Sequence, residues 1–292
     1  MKQPWFKEPK KRKKQGPRLG LYKLLGSPFY FILIFLITLP MFMVLLYAIT
    51  EPASSLLIFR FSFRSFSDFF QAAEFVRVFF DSLLLAFITT LIALLIGYPA
   101  AYFITKLSKK NQMLIILLIS IPMWFNMMLR LIAWRQILDE QGPIHWLFGL
   151  VGIQLPRLLG TDFAIVLGMI YVFLPFMIIP IFTILSKIDP KLLEASNDLG
   201  ANKAQTFRKV IIPLSIPGIL TGITMVFLPA ATSIAVPHHL SAGQRRLIGH
   251  VIEAQFLGDG GNWHLGSAIA IVLALVILLL ISLTKILDRS KE

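Results

Sequence analysis

The side chains of this sequence that could do chemistry are few and unevenly placed. There is no cysteine, which excludes disulfide frameworks, thiol catalysis and Cys-ligated zinc. The five histidines are His145, His238, His239, His250 and His264. A zinc site needs three or four convergent ligands, yet His238 and His239 are adjacent and no His-x-x-x-His spacing occurs. Loop histidines that titrate near neutral pH are the simpler reading. No G-x-x-x-x-G-K-[ST] segment is present to cradle a phosphate, and no Ser/His/Asp arrangement can be placed. The reading is of a non-enzyme with no cofactor and no metal.

One segment carries informative spacing. In 187–212, Asp189 is placed to cap a helix whose first residue is Pro190. Lys191 to Leu199 then reads as a short helix stopped by Gly200, which can enter the left-handed region without a Cβ penalty. Asn202, with Gln205 three residues on, predicts a capping box at a second helix, and Pro213 is expected to end that piece. The product is a compact helix–turn–helix. Leu192, Leu193 and Leu199 give its first helix an apolar edge, and Ala195 and Ser196 are small positions permitting close approach. Glu194 can pair with Lys191 at i, i+3 for a few tenths of a kcal/mol.

The elements that must hold this segment follow from composition. Of 292 residues, 57% are hydrophobic and only 15% charged, with a mean hydropathy of +0.77. A soluble chain carries about 25% charged residues. The net charge of +13 is concentrated in 1–27, with nine basic residues and one acid directly before an apolar run. That position argues for a membrane surface, with lipid and not nucleic acid as the partner. Six stretches reach the length of about 20 residues needed to cross a bilayer. They are Pro28–Ile49, Ser82–Thr105, Asn111–Leu129 (running on with Arg130 and Arg135 to Ile137), Phe163–Ser186, Pro213–Val236 and Leu265–Thr284. Alternate connecting segments hold twenty Lys and Arg on the N-terminal side against six opposite, which places both termini in the cytoplasm. In the first outer loop, 50–81, Phe66, Phe69, Phe70, Ala73, Val76 and Phe80 recur at helical spacing, predicting an amphipathic helix flat on the interface. Seven prolines within the spans predict bent helices around a path. The fold class is therefore all-α integral membrane, with six transmembrane helices and a cytoplasmic helix–turn–helix. Its parts are a basic tail over 1–27, a six-span domain over 28–287 and a short tail over 288–292.

Glu194-Ala195-Ser196, three residues, Gly200, nine residues, then Val210-Ile211-Ile212-Pro213 resembles the signature of permease subunits of binding-protein-dependent ABC importers. Ser196, Val210 and Ile212 are conservative departures from it. The resemblance extends over about 28–287. Trp124-Phe125-Asn126 with Arg130 and Trp134, Asp198-Leu199-Gly200-Ala201, Leu247-Ile248-Gly249, Gln255-Phe256-Leu257, and Trp263 ahead of Gly266-Ser267 are similar to the B-type permease of spermidine/putrescine importers. Two positions depart: Pro237-His238-His239 and Asn262-Trp263 stand where such permeases often carry an acid.

This resemblance implies a type I ABC importer permease in a bacterial inner membrane. Its partners would be two copies of an ATPase subunit, a second permease subunit and an extracytoplasmic binding protein. It further implies that 187–212 is the coupling loop, with Leu192, Leu193, Glu194, Ala195, Ser196, Asp198, Gly200 and Pro213 as the residues that meet or shape the ATPase contact. For a small cationic cargo, carboxylates and aromatic faces are the fitting chemistry, since an ammonium over a ring gains about 0.5–2 kcal/mol. Trp124, Phe125, Trp134, Tyr171 and Phe173 lie near or within spans, and Asp162 at the outer mouth. Arg130 and Arg135 read as snorkelling side chains or as partners for Asp139, Glu140 or Asp162. The rival cargoes are thiamine, phosphonate and ferric ion. A stand-alone secondary transporter is the rival class, predicting inverted repeats and intramembrane ionisable groups.

Overall fold

The computed structural model describes residues 19–51 and 60–289, without the side chains of 19–27 and 283–289. Residues 1–18 of the basic tail and 290–292 of the C-terminal tail lie outside the described residues. Among the described residues the chain is all-α apart from a two-residue antiparallel pair, Thr50–Glu51 with Arg60–Phe61. In order, the helices are α1 (Leu19–Ala48), α2 (Arg64–Gln71), α3 (Ala73–Thr105), α4 (Lys109–Trp124), α5 (Met127–Leu138), α6 (Pro143–Leu150) and α7 (Asp162–Leu185). Then come α8 (Pro190–Asp198), α9 (Lys203–Thr206), a π turn (Phe207–Ile211), α10 (Ile212–Ala231), α11 (Ala235–Leu240), α12 (Ile248–Leu257) and α13 (Trp263–Arg289).

Among the described residues, five helices are long and apolar enough to cross a membrane: α1, α3, α7, the continuous Lys203–Ala231 helix and α13. The third predicted span is not one helix. It breaks between Trp124 and Met127, and the two halves bend by 92°. Pro122 weakens the last turn of α4, Phe125 is extended, and the Asn126 side chain accepts from the Met128 amide at 2.8 Å to start α5. Counting this bent pair as one gives six spans. The fifth predicted span also ends early, at Ala231, because Thr232 and Ser233 turn the chain before the separate α11. The predicted interfacial helix stops at Gln71. Ala72 is extended, and Ala73 to Phe80 belong to the long α3.

The core is a three-helix packing of α3, α7 and α10. Lipid supplies no hydrophobic drive between helices, so close approach through small residues matters. Gly97 of α3 and Gly222 of α10 both face Met177 of α7. A Cβ on Gly97 would lie 2.9 Å from Met177 Cγ, and one on Gly222 would lie 2.7 Å from Met177 Sδ. A second cluster joins Phe69, Phe79, Ile248, Ile269 and Leu273, and so seats α2 and α12 against α3 and α13. The helix α1 stands apart: Pro28 to Met43 are all exposed, and it rests on α13. Its end is fixed there by His264 Nδ1, 2.9 Å from the Tyr47 carbonyl, and by the Tyr47 ring edge-on to Trp263.

Overpacking the glycine contact tests this core. Gly222→Ile is expected to cost about 1–3 kcal/mol, read as a lower unfolding temperature in detergent. Ile at the neighbouring exposed Thr221 is expected to stay within about 0.5 kcal/mol of the parent.

Candidate functional site

The hairpin of α8 and α9 leaves α7 through a tight turn at Ser186–Asp189 and re-enters α10 through the π turn. Its local chemistry is the one its sequence dictates. The Asp189 carboxylate accepts from the Lys191 amide at 2.9 Å, with Pro190 as the first helical residue. Gly200 has φ +78°, in the left-handed region, immediately after the helix. Asn202 and Gln205 form a reciprocal capping box, each bond 2.9 Å. A further bond, Ser196 Oγ to Thr206 Oγ1 at 2.9 Å, ties the two helices side chain to side chain. Thr206 carried no signal in the sequence, because the bond crosses the hairpin.

The hairpin presents an asymmetric surface. Leu199 is 88% exposed and Leu192 47%, and Glu194, Ala195 and Asp198 are exposed beside them. Leu193 does not share that edge; it is half-buried against the chain's own core. Pro213 does not terminate the second piece. It sits in the first turn of α10, and the Ile212 amide bonds to the Phe207 carbonyl five residues back. That wider π turn relieves the clash a proline ring makes with the carbonyl four residues before it.

At the opposite end of the bundle Arg245 gathers two acids from different helices. Its guanidinium donates to Asp162 Oδ2 at 2.7 Å and approaches Asp81 Oδ2 at 3.5 Å. All three side chains are about 40% exposed, which limits each pair to a surface-like strength of about 1 kcal/mol or less. They cap a cavity of about 330 Å³ whose walls include Leu84, Ile88, Ile92 and Val166. Asp162 therefore belongs to Arg245 and not to Arg130 or Arg135, and Glu140 pairs with Arg157 at 3.7 Å.

The aromatic candidates divide. Trp134 meets Tyr171 edge-on at 5.3 Å, and the Arg130 guanidinium lies 5.9 Å from the Tyr171 ring centre. Trp124 and Phe125 are exposed at the span break, away from any ring contact with that pair. Phe173 is buried in the core. Adjacent His238 and His239 hold their rings perpendicular, 5.2 Å apart, and His250 stacks on His238 at 6.2 Å. Burial lowers the affinity of His250 for a proton, with His238 and Arg246 adding to the effect and Glu253 opposing it. Burial also lowers that of His239, with help from His238 and Arg135. Among the described residues, no three His, Asp or Glu could hold a metal ion together.

Residues 93–292 match the family described as binding-protein-dependent transport system inner membrane component. The spermidine/putrescine transport system permease protein PotB of Haemophilus influenzae is 38% identical over 224 residues, 75% of this chain and 78% of that protein. The protein of the same name in Escherichia coli K12 is 39% identical over 202 residues, 68% of this chain and 73% of its own length. In fold, the chain is similar to a bacterial ABC transporter involved in import of the acidic polysaccharide alginate, with TM-score 0.75, 19% identity and coverage of 93% and 96%.

Two outcomes test the far end. A double-mutant cycle of Arg245→Gln with Asp162→Asn is expected to give a coupling of about 0.5–1 kcal/mol in unfolding free energy, shrinking with salt. The folded state binds fewer protons at His250 than the unfolded state does. Stability is thus full above the ordinary value of 6.5 and falls as pH drops below it. In His250→Gln the unfolding temperature is expected to depend less steeply on pH between about 7 and 5.

Proposed function

Since the chain belongs to the family of binding-protein-dependent transport system inner membrane components, we propose that it is a permease subunit of an ABC importer for spermidine and putrescine. It is a transport component of an all-α membrane fold and not an enzyme; hydrolysis of ATP belongs to a separate subunit. Two ATPase copies, a second permease and an extracytoplasmic binding protein complete the assembly in this reading. The cargo assignment is supported by the identity to two spermidine/putrescine permeases over more than two thirds of the chain.

The observation that carries the mechanism is the stiff hairpin with its exposed Leu192 and Leu199 between two deeply packed spans. An exposed leucine pair with small and acidic neighbours suits a groove on a partner protein. Closure of the ATPases on ATP would push 190–212 and, through α7 and α10, turn the permease from outward to inward access. Leu192, Glu194, Ala195, Asp198 and Leu199 form the contact face; Ser196 and Gly200 hold its shape; Leu193 and Pro213 anchor it to the spans. Trp134, Tyr171 and Asp162 remain the residues proposed to line the cargo path. The excess of Lys and Arg on the hairpin side supports placing that side and both termini in the cytoplasm.

Uptake of radiolabelled putrescine and spermidine in a strain lacking its own importers tests the cargo. Uptake is expected only when the ATPase is co-expressed, and excess unlabelled thiamine is expected not to compete. Because the chain has no cysteine, Asn262→Cys is expected to label with an impermeant maleimide from outside and Asn197→Cys only in opened membranes. Gly200→Val places a Cβ at φ +78°, a strain of about 1–2 kcal/mol. Glu194→Lys reverses the charge of the exposed face. Both variants are expected at normal membrane abundance with reduced ATPase co-purification and reduced uptake; normal values of both quantities in both variants would remove the docking role.

A further inference from the structure

The hairpin meets its own spans through covalent continuity and the half-buried Leu193, and one side chain at its foot reaches a third span. Phe207, the first residue of the π turn, lies between two tyrosines of α3. Its ring centre is 5.1 Å from that of Tyr102 and 6.0 Å from that of Tyr98, both edge-on. Neither tyrosine is free to drift. Tyr102 carries the Lys106 ammonium 4.8 Å from its ring centre. Tyr98 Oη lies 3.0 Å from Ser215 Oγ. The single hydroxyl proton of Ser215 is already donated to the Ile212 carbonyl at 2.8 Å, so Tyr98 is the donor. The result is a clasp: α3 grips the π turn by two rings and grips the first turn of α10 just beyond it by a hydrogen bond.

The segment inside the clasp is the least regular helical turn described between the hairpin and the core. A π turn holds one residue more than the α repeat and is rare outside functional sites. Relaxing it to α register would rotate everything before it by about 100° around the axis. On the hairpin side, the Ser196–Thr206 bond and the capping box keep α8 and α9 together as one body. On the core side, Gly97 and Gly222 lock α3, α7 and α10 together. Displacement of one stiff body against the other must be absorbed between them, and Phe207 sits at that place.

We propose that the π turn Phe207–Ile211 is the compliant joint of the hairpin, and that Phe207, clasped by Tyr98 and Tyr102 of α3, passes hairpin movement to the α3–α7–α10 body. Phe207 is thus a positioning residue for transport: it touches neither cargo nor ATPase. Without its ring the hairpin still docks and the ATPases still turn over, but the α3–α7–α10 body no longer follows. This inference rests on the reading that the hairpin meets an ATPase.

The test uses the full complex reconstituted in proteoliposomes with the binding protein and labelled putrescine. In Phe207→Ala the ATPase subunits are expected to co-purify at the parental ratio and to hydrolyse ATP within about twofold of the parent. Putrescine transported per ATP is expected to fall about tenfold, an ordinary size for coupling between sites. Phe207→Tyr keeps a ring and is expected to restore the ratio. Tyr102→Ala is expected to match Phe207→Ala, with the double variant no worse than either. An unchanged transport-to-hydrolysis ratio in Phe207→Ala overturns the clasp. So does loss of ATPase co-purification in both alanine variants, which would make the rings part of the docking face. Failure of the parental complex to take up putrescine with ATP would instead sink the proposed function, which separates the two failures.

Discussion

A backbone amide or carbonyl in hydrocarbon has no water to bond to, and leaving it unpaired costs several kcal/mol. That constraint governs this chain because seven prolines interrupt its apolar stretches. Each proline removes a donor and pushes away the carbonyl four residues earlier. Six of the seven, Pro40, Pro99, Pro175, Pro180, Pro217 and Pro229, stay inside continuous helices, while Pro122, and Pro213 at the head of the fifth span, are met in two other ways. At Pro122 the helix is abandoned: Phe125 extends, the Asn126 side chain supplies an acceptor for the Met128 amide, and the chain resumes after a 92° bend. At Pro213 the helix is kept, because a π turn lets the Ile212 amide reach the Phe207 carbonyl and gives the ring room. One solution yields a corner and the other a joint in an unbroken helix.

What could be read in advance follows the range of the forces involved. Span positions depend on the apolarity of about 20 neighbouring residues, so α1, α3, α7, α10 and α13 were foreseeable from sequence alone. Caps act over three residues, and Asp189, Gly200 and the Asn202–Gln205 pair are found where their types predict. Bends escape such a reading, because a corner at Trp124–Met127 is as apolar as a straight helix. A Pro122 followed by a capping Asn126 was the available signal. The early end of α10 and the separate α11 were hidden for the same reason. Contacts between distant residues carried no signal at all. Asp162 finds Arg245 across 83 positions, and Phe207 finds Tyr98 and Tyr102 from another helix.

The two ends of the bundle differ in how they treat charge. Far from the hairpin, Arg245 holds acids from α3 and α7 in a half-exposed triad, so the pairing fastens the start of α7 to α3 at little desolvation cost. The histidines nearby take the opposite course: burial keeps His250 and His239 toward their neutral forms, with Arg135 adding to it at His239 and Glu253 working against it at His250. At the hairpin end, the exposed Glu194 and Asp198 lie among many lysines and arginines. A face that is locally acidic and apolar within a basic surface is set apart from the anionic lipid around it, which favours contact with protein over burial in headgroups.

Stiffness is distributed to match. Packed interiors resist continuous deformation, so a close-set group of helices moves as a body or not at all. The glycine contacts at Met177 make α3, α7 and α10 such a body, and the side-chain bonds of the hairpin make another. The connection from α7 is a turn of a few residues, Ser186–Asp189, closed by backbone bonds from Ser186, Lys187 and Ile188. It can hinge but cannot stretch. The connection to α10 is a helix whose one irregular turn can change register by exchanging bonds to the residue five back for bonds to the residue four back. With one side fixed in length and the other able to rotate, a push on Leu192 and Leu199 turns into a tilt of the hairpin and a twist at Phe207. The residue at the twist is therefore the one whose contacts decide whether the α3–α7–α10 body feels the push.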